Sequence, residues 1–423
     1  MVKNRSKSQS GIAHLGLFLL IVIIAVVGFA GWKVYSSNKS SKTTNQSSVS
    51  TATPSGQSAL EAGEQLSNNY CKGSGTTTFT HLPMDANDFN ILIPYGLTVG
   101  GHVTPIDHQY FSPTIFNSSK DKYPVYAMAD AQITGIEVHP PENGSNGRIR
   151  LVFSVSCTFF YYYDLVTSVE SGIDDKHLPI QVKAGQLIGH IGGQTLDFAV
   201  WNTQKPLKGF INPATYKGEV WKIYTDNPFP YYTADLRSTV ETKDPRTVEP
   251  IQGKIDYDVD GKLIGNWFLE GSGGYNNNST PPGGQYWTGH LSIAPDLYDP
   301  SATVVSVGNY DSYPGTNPDS SKGDGSDARQ YFAKAGSPDP AKVGQDNGVV
   351  KYELVQRKYL KPDGSEWTQS DFVKGPKANN NGPVLGTVLA QLTDKQKLKF
   401  EVFKNKSADQ VSGFDSNAKT YTR

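Results

Sequence analysis

The sequence predicts a mainly β protein built as two successive β-rich units behind a single membrane-spanning helix. Three observations predict it. The 423 residues include 23 Tyr, 42 Gly and 26 Pro but only 3 Met, a composition of strands and tight turns and not of helical bundles. Short apolar and aromatic segments recur between turns rich in Gly, Pro, Asn and Asp. Residues 11–32 carry no charge, a run long enough for one helix to cross a hydrocarbon layer of about 30 Å. Lys and Arg (39) almost balance Asp and Glu (40), so the net charge is −1. That balance argues against nucleic acid as a partner, because a duplex binder needs a basic face to displace counterions.

The elements follow in order. Lys3, Arg5 and Lys7 mark residues 1–10 as a cytoplasmic tail by the positive-inside rule. Residues 11–35 read as a signal-anchor helix, with Trp32 and Tyr35 suited to the far interface. The alternative is a cleaved signal peptide ending near Gly28-Phe29-Ala30, but the apolar run exceeds the usual h-region of roughly 7–15 residues. Either reading places the bulk of the chain outside the cytoplasm, and the anchor reading makes it a single-pass membrane protein. Residues 36–58, rich in Ser, Thr, Asn and Gln, have too few apolar side chains to fold and read as a flexible stalk.

Residues 59–226 form the first β unit. It opens with a short helix over 59–69, followed by strands near 90–94, 125–129, 133–138, 148–156, 158–163, 186–191 and 196–201. The aromatic run Phe159-Phe160-Tyr161-Tyr162-Tyr163 reads as a buried strand, with stacking on sugar rings as the alternative. Cys71 and Cys157 are the two cysteines, and in an oxidising compartment they are candidates for one disulfide. Residues 227–250 form a linker with a helix near 232–241.

Residues 251–423 form a second β-rich unit of unknown role. Ile255, Tyr257 and Val259 alternate with Asp256, Asp258 and Asp260, and Asp260-Gly261 is a two-residue turn signal, so a hairpin is expected there. A calcium loop would need an acid at its twelfth position, where Trp267 stands. Gly265-x-Trp267 is similar, over three residues, to the opening strand of lipocalins. Residues 312–327 read as an irregular loop. Leu398, Phe400 and Val402 alternate with charged residues as a half-buried strand.

A succession of motifs in the first unit carries a family resemblance. It runs Gly100-Gly101-His102-Val103-Thr104-Pro105-Ile106-Asp107, then Pro124-Val125-Tyr126-Ala127-Met128-Ala129-Asp130 and Tyr162-Tyr163-Asp164-Leu165. Val182-Lys183-Ala184-Gly185-Gln186-Leu187-Ile188-Gly189 and Thr195-Leu196-Asp197-Phe198-Ala199-Val200 complete it. This order resembles the lysostaphin-type (LytM-like) zinc metallopeptidases, which cut peptidoglycan cross-bridges, over roughly a third of the chain. The resemblance implies an antiparallel β domain with His102, Asp107 and Asp197 at the zinc-ligand positions and Asp164 at the position of a catalytic histidine. The sequence departs from the family at chemically decisive places. His102 and Asp107 are spaced one residue further apart, Thr195 and Asp197 replace the His-x-His pair, and Asp164 replaces the histidine of Tyr-x-His-Leu.

Zinc accepts carboxylate oxygen, so His102, Asp107 and Asp197 are a candidate ligand set and Asp164 a candidate base. An added anionic ligand makes a metal-bound water less acidic, and the lost imidazoles are normally worth about 10²–10⁴-fold in rate. Two functions follow as expectations. The first is a membrane-anchored, non-catalytic module that binds or scaffolds peptidoglycan or another envelope component. The alternative is a zinc endopeptidase working through an unusual Asp-rich site.

Overall fold

The computed structural model describes residues 58–140, 147–275, 287–313, 327–368 and 372–423. The tail, the anchor and the stalk up to residue 57 lie outside the described residues, as does most of the loop expected over 312–327. Among the described residues no helix is long and apolar enough to cross a membrane.

The first unit begins with α1 (Ala59–Leu66), fixed by a reciprocal cap. The Glu61 N–H donates to Ser58 Oγ at 3.2 Å, and the Ser58 N–H donates to Glu61 Oε2 at 2.7 Å. Two of the four orphan donors at the helix start are thereby satisfied. Gly63 lets the helix lie on the backbone of Cys157, since a Cβ there would sit 1.6 Å from the Cys157 carbonyl oxygen. Cys71 and Cys157 are joined by a disulfide across a sequence separation of 86. On the chain-entropy account a loop of that length contributes about 4.6 kcal/mol.

Eleven strands follow in the described residues of this unit. They are β1 (Phe89–Ile93), β2 (Gln109–Pro113), β3 (Tyr123–Tyr126), β4 (Ala131–His139), β5 (Arg148–Ser154) and β6 (Phe159–Val166). Next come β7 (Ser168–Val169), β8 (Ile180–Val182), β9 (Leu187–Ile191), β10 (Leu196–Asn202) and β11 (Thr225–Asp226). The main sheet runs β1-β2-β10-β6-β5-β4-β8 and is antiparallel throughout, with β11 added beside β10. A smaller sheet, β3-β9-β7, packs with it. The aromatic run expected as a buried strand is β6, buried along its whole length. Tyr161 and Tyr163 each donate their hydroxyl to a backbone carbonyl, of Ala129 and Tyr126. Helix α2 (Ala234–Thr242) follows the sheet.

The second unit closes on itself. Its strands are β12 (Gly265–Leu269), β13 (His290–Pro295), β14 (Thr303–Val307), β15 (Arg329–Ala333) and β16 (Val350–Val355). A small three-stranded sheet follows, made of β17 (Tyr359–Leu360), β18 (Glu366–Trp367) and β19 (Lys377–Ala378). Then come β20 (Val384–Asp394), β21 (Lys397–Lys404) and β22 (Lys419–Thr422). β12, β13, β14, β15, β16, β20, β21 and β22 form a closed barrel, sealed where Phe268 and Leu269 of β12 pair with Thr422 and Tyr421 of β22. Eight strands leave an interior that side chains can fill. Trp267, Leu291, Ile293, Val305, Tyr352, Leu398 and Phe400 do so here, fully buried. Arg423 closes one end, its guanidinium 4.0 Å from the Trp267 ring centroid. It donates to the carbonyls of Ile264 (2.7 Å), Val259 and Lys262 (2.6 Å each).

One expectation in this unit is overturned. Residues 254–259 are not a hairpin strand with aspartates facing water. Asp256 and Asp258 are buried, and they accept the backbone N–H groups of Gly209 (2.8 Å) and Ile211 (3.2 Å) from the first unit. Alternation of acid and apolar residues marks an extended segment equally well when its acids bond backbone donors across an interface. The two units share a core there, in which Tyr95, Phe160, Trp201, Phe210 and Tyr216 meet Phe268 and Tyr275.

Candidate functional site

The main sheet gathers the acidic candidates by register. Asp197 on β10 stands opposite Asp164 on β6 and opposite Tyr110 on β2. Asp107 and His108 come immediately before β2, and His102 sits in a turn whose backbone bonds close between Val99 and His102. Sequence positions far apart therefore meet on one face. Two carboxylates directly across a ladder repel each other, so this face is stable only if cations stand beside it.

The cations come from residues that carry no motif. Asp164 is gripped by Arg148 Nη1 at 2.7 Å and by Arg150 Nη2 at 2.8 Å, both from β5. Burial alone would raise the Asp164 pKa, but Arg150 and Arg148 hold it down to about 2. A carboxylate that acidic is a poor proton acceptor at neutral pH, so Asp164 is not placed as a general base. Lys222, from the 3₁₀ segment Pro213–Tyr224, reaches Asp107 Oδ1 at 2.7 Å and Glu219 Oε2 at 3.2 Å. Burial works against the Lys222 ammonium, yet Asp107 and Glu219 keep its pKa well above the ordinary lysine value.

Of the three candidate zinc ligands, Asp107 and Asp197 have side-chain partners, and His102 Nε2 has none among the described residues. His108 stands between two of them, with Nδ1 3.5 Å from Asp107 Oδ1 and Nε2 3.3 Å from Asp197 Oδ2. Burial pushes the Asp197 pKa up to about 7, with His108 opposing the rise. Burial also drives the His102 pKa well down, and its Nε2 has no hydrogen-bond partner among the described residues. The His102 and His108 rings lie 5.7 Å apart, edge to face. Among the described residues no group of three His, Cys, Asp or Glu side chains is arranged to hold a metal ion. Asp107 Oδ1 is held by the Lys222 ammonium at 2.7 Å, while Asp107 Oδ2 is buried with no hydrogen-bond partner among the described residues. In this arrangement the cation that Asp107 bonds is Lys222.

The barrel forms the roof. Tyr275 meets Thr104, hydroxyl to hydroxyl at 2.7 Å, and its ring lies 4.9 Å from Lys222 Nζ. Trp287 packs on Gly101, where a Cβ would come within 2.8 Å of the indole. Gln330 holds the turn from both sides, accepting from Gly100 N and donating to Gly100 O at 3.0 Å each. The turn that carries His102 is thus clamped between the two units.

Sequence reasoning named His102, Asp107, Asp164 and Asp197 but missed Lys222, Arg148 and Arg150. A signal was present for the lysine, a lone charge inside Val220-Trp221-Lys222-Ile223-Tyr224. A charge in such a run needs a buried partner.

No family model matches the chain, and no curated protein does. Among solved structures it is similar to Csd3 of Helicobacter pylori, at 15% identity and a TM-score of 0.24, over 39% of this chain and 40% of that one. A zinc-containing peptidase from Vibrio cholerae matches at 19% identity and a TM-score of 0.23, over 31% of this chain and 38% of that one. Lysostaphin in solution matches at 14% identity and a TM-score of 0.24, over 71% of this chain and 98% of that one. The chain thus spans about two fifths of the length of the first two.

Proposed function

We propose that this chain is a membrane-anchored extracytoplasmic protein whose first β unit is a hydrolase-like domain without catalysis, serving as a binding or scaffold module of the cell envelope. One observation carries the reading. Each acidic group at the would-be reaction centre faces a protein cation or His108: Asp164 between two arginines, Asp107 on Lys222, and Asp197 on His108. A zinc hydrolase needs an open coordination position and a group free to move a proton. Here the carboxylates are already paired within the protein, Tyr275 covers Lys222, and Trp287 packs on Gly101 beside His102. The uncharged run 11–32 and the basic residues before it support the anchor.

The test uses the full chain in detergent. It should sediment with purified peptidoglycan and release no cross-bridge peptide, with or without added zinc. Zinc-dependent release of peptide would reverse the reading and favour the endopeptidase. Protease added to intact cells should degrade residues 58–423 and spare the short basic tail.

A further inference from the structure

Building on the non-catalytic reading, we infer that the Lys222 ammonium is a permanent internal cation that takes the charge role a divalent ion would have at this site. The argument starts from position. Lys222 lies after β10, and the segment Pro213–Tyr224 carries its side chain back over the sheet face to Asp107. The ammonium is almost wholly buried, with Asp107 Oδ1 at 2.7 Å, Glu219 Oε2 at 3.2 Å and the face of Tyr275 at 4.9 Å. A carboxylate, a second carboxylate and a ring face are all electron-rich, and they converge on one positive centre.

The charge inventory supports the substitution. Asp107, Asp164, Asp197 and Glu219 are four acids, and Lys222, Arg148 and Arg150 are three bases, with His108 between two of the acids. A buried carboxylate is tolerated only when paired, so removing Lys222 would strand Asp107, which is almost fully buried. The ammonium already holds Asp107 Oδ1, so an ion at that oxygen would have to displace it or turn to Oδ2, which has no hydrogen-bond partner among the described residues. The mutual need of Lys222 and Asp107 is specific to this pair, whereas a lysine present only to pack its stem would not depend on Asp107.

The experiment is a thermal-unfolding cycle on the full chain with Lys222→Met, Asp107→Asn and the double variant, beside metal analysis of the wild type after exposure to zinc. Each single variant should lower Tm by on the order of 10 °C, the effect of stranding one partner of a buried pair. The double variant should recover most of that loss, because position 107 is then neutral and Glu219, which also loses its lysine, is partly open to water. The wild type should retain far less than one zinc per chain, and its Tm should not rise with zinc. A single variant that does not fold beside a double variant that does supports the inference as directly. Additive losses, or a double variant that does not fold, overturn it. One zinc per chain in the wild type also overturns it, and if peptide is released as well the non-catalytic reading falls with it. A wild type that is zinc-free and inactive with an additive cycle sinks the internal-cation inference alone.

Discussion

The barrel and the open sheet beside it bury opposite kinds of chemistry. The barrel interior is filled by Trp267, Leu291, Ile293, Val305, Leu398 and Phe400, and the Arg423 guanidinium sits at its end, over Trp267. The sheet of the first unit buries Asp107, Asp164 and Asp197 with Lys222, Arg148 and His108 on one face. Closure explains the first. A closed ladder satisfies its own backbone, so its interior needs only volume and apolar surface. The second is stabilised by pairing, and buried pairs seldom stabilise a fold beyond what apolar residues of the same size would. Charges of that kind are not a requirement of the sheet.

The contrast can be broken from the barrel side first. Trp267→Ala removes the largest fully buried side chain and should cost about 4 kcal/mol in denaturant unfolding. A loss under about 1 kcal/mol would mean the barrel end is not packed as described. Arg423→Ala should cost about 3 kcal/mol, since the carbonyls of Ile264, Val259 and Lys262 lose their donor and the Trp267 face is uncovered. Arg423→Lys should recover only part of this, because an ammonium lacks the planar fork.

On the sheet side the sharper measurement is a pH series. The Asp164 pKa is held near 2 in the fold against an ordinary 3.8, so its contribution is present above about pH 4 and is lost as pH falls toward 2. That term is on the order of 2 kcal/mol and should vanish from the acid limb of the Asp164→Asn variant. An unchanged acid limb would show that the arginines do not hold this carboxylate. The smallest effect is expected where the units meet. Tyr275→Phe removes one hydroxyl bonded to Thr104 and should cost about 1 kcal/mol with no change in the denaturant m-value.

Much of the strand pattern was legible because alternation and turn residues act locally. The helix at Ala59–Leu66 falls within the expected 59–69, and β6 showed itself through its five consecutive aromatics. Barrel closure was not legible, since it depends on Leu269 meeting Tyr421, a pairing across most of the second unit. Gly265-x-Trp267 marked the right strand but is too short to carry a fold. The same limit explains Asp256 and Asp258, whose alternation gave extended backbone but not the partners Gly209 and Ile211. At the site, motif order located the acids and hid the cations. Arg148 and Arg150 look like an ordinary solvent-facing pair around Ile149 until register brings Asp164 beside them. Lys222 comes from a segment with no motif at all.

The bond between Cys71 and Cys157 sets a load path. If the chain is tethered upstream of residue 58, a pull from the membrane enters at α1 and passes straight through the sulfurs to the turn between β5 and β6. The intervening loop, across a sequence separation of 86 and roughly 300 Å if drawn out, is bypassed and carries no tension. The turn that carries His102, the residues up to Asp107 and the strand of Arg148 lie inside that bypass. The clamped face would keep its geometry while the tether bears force, and reduction of the single bond would put its strands in series with the load.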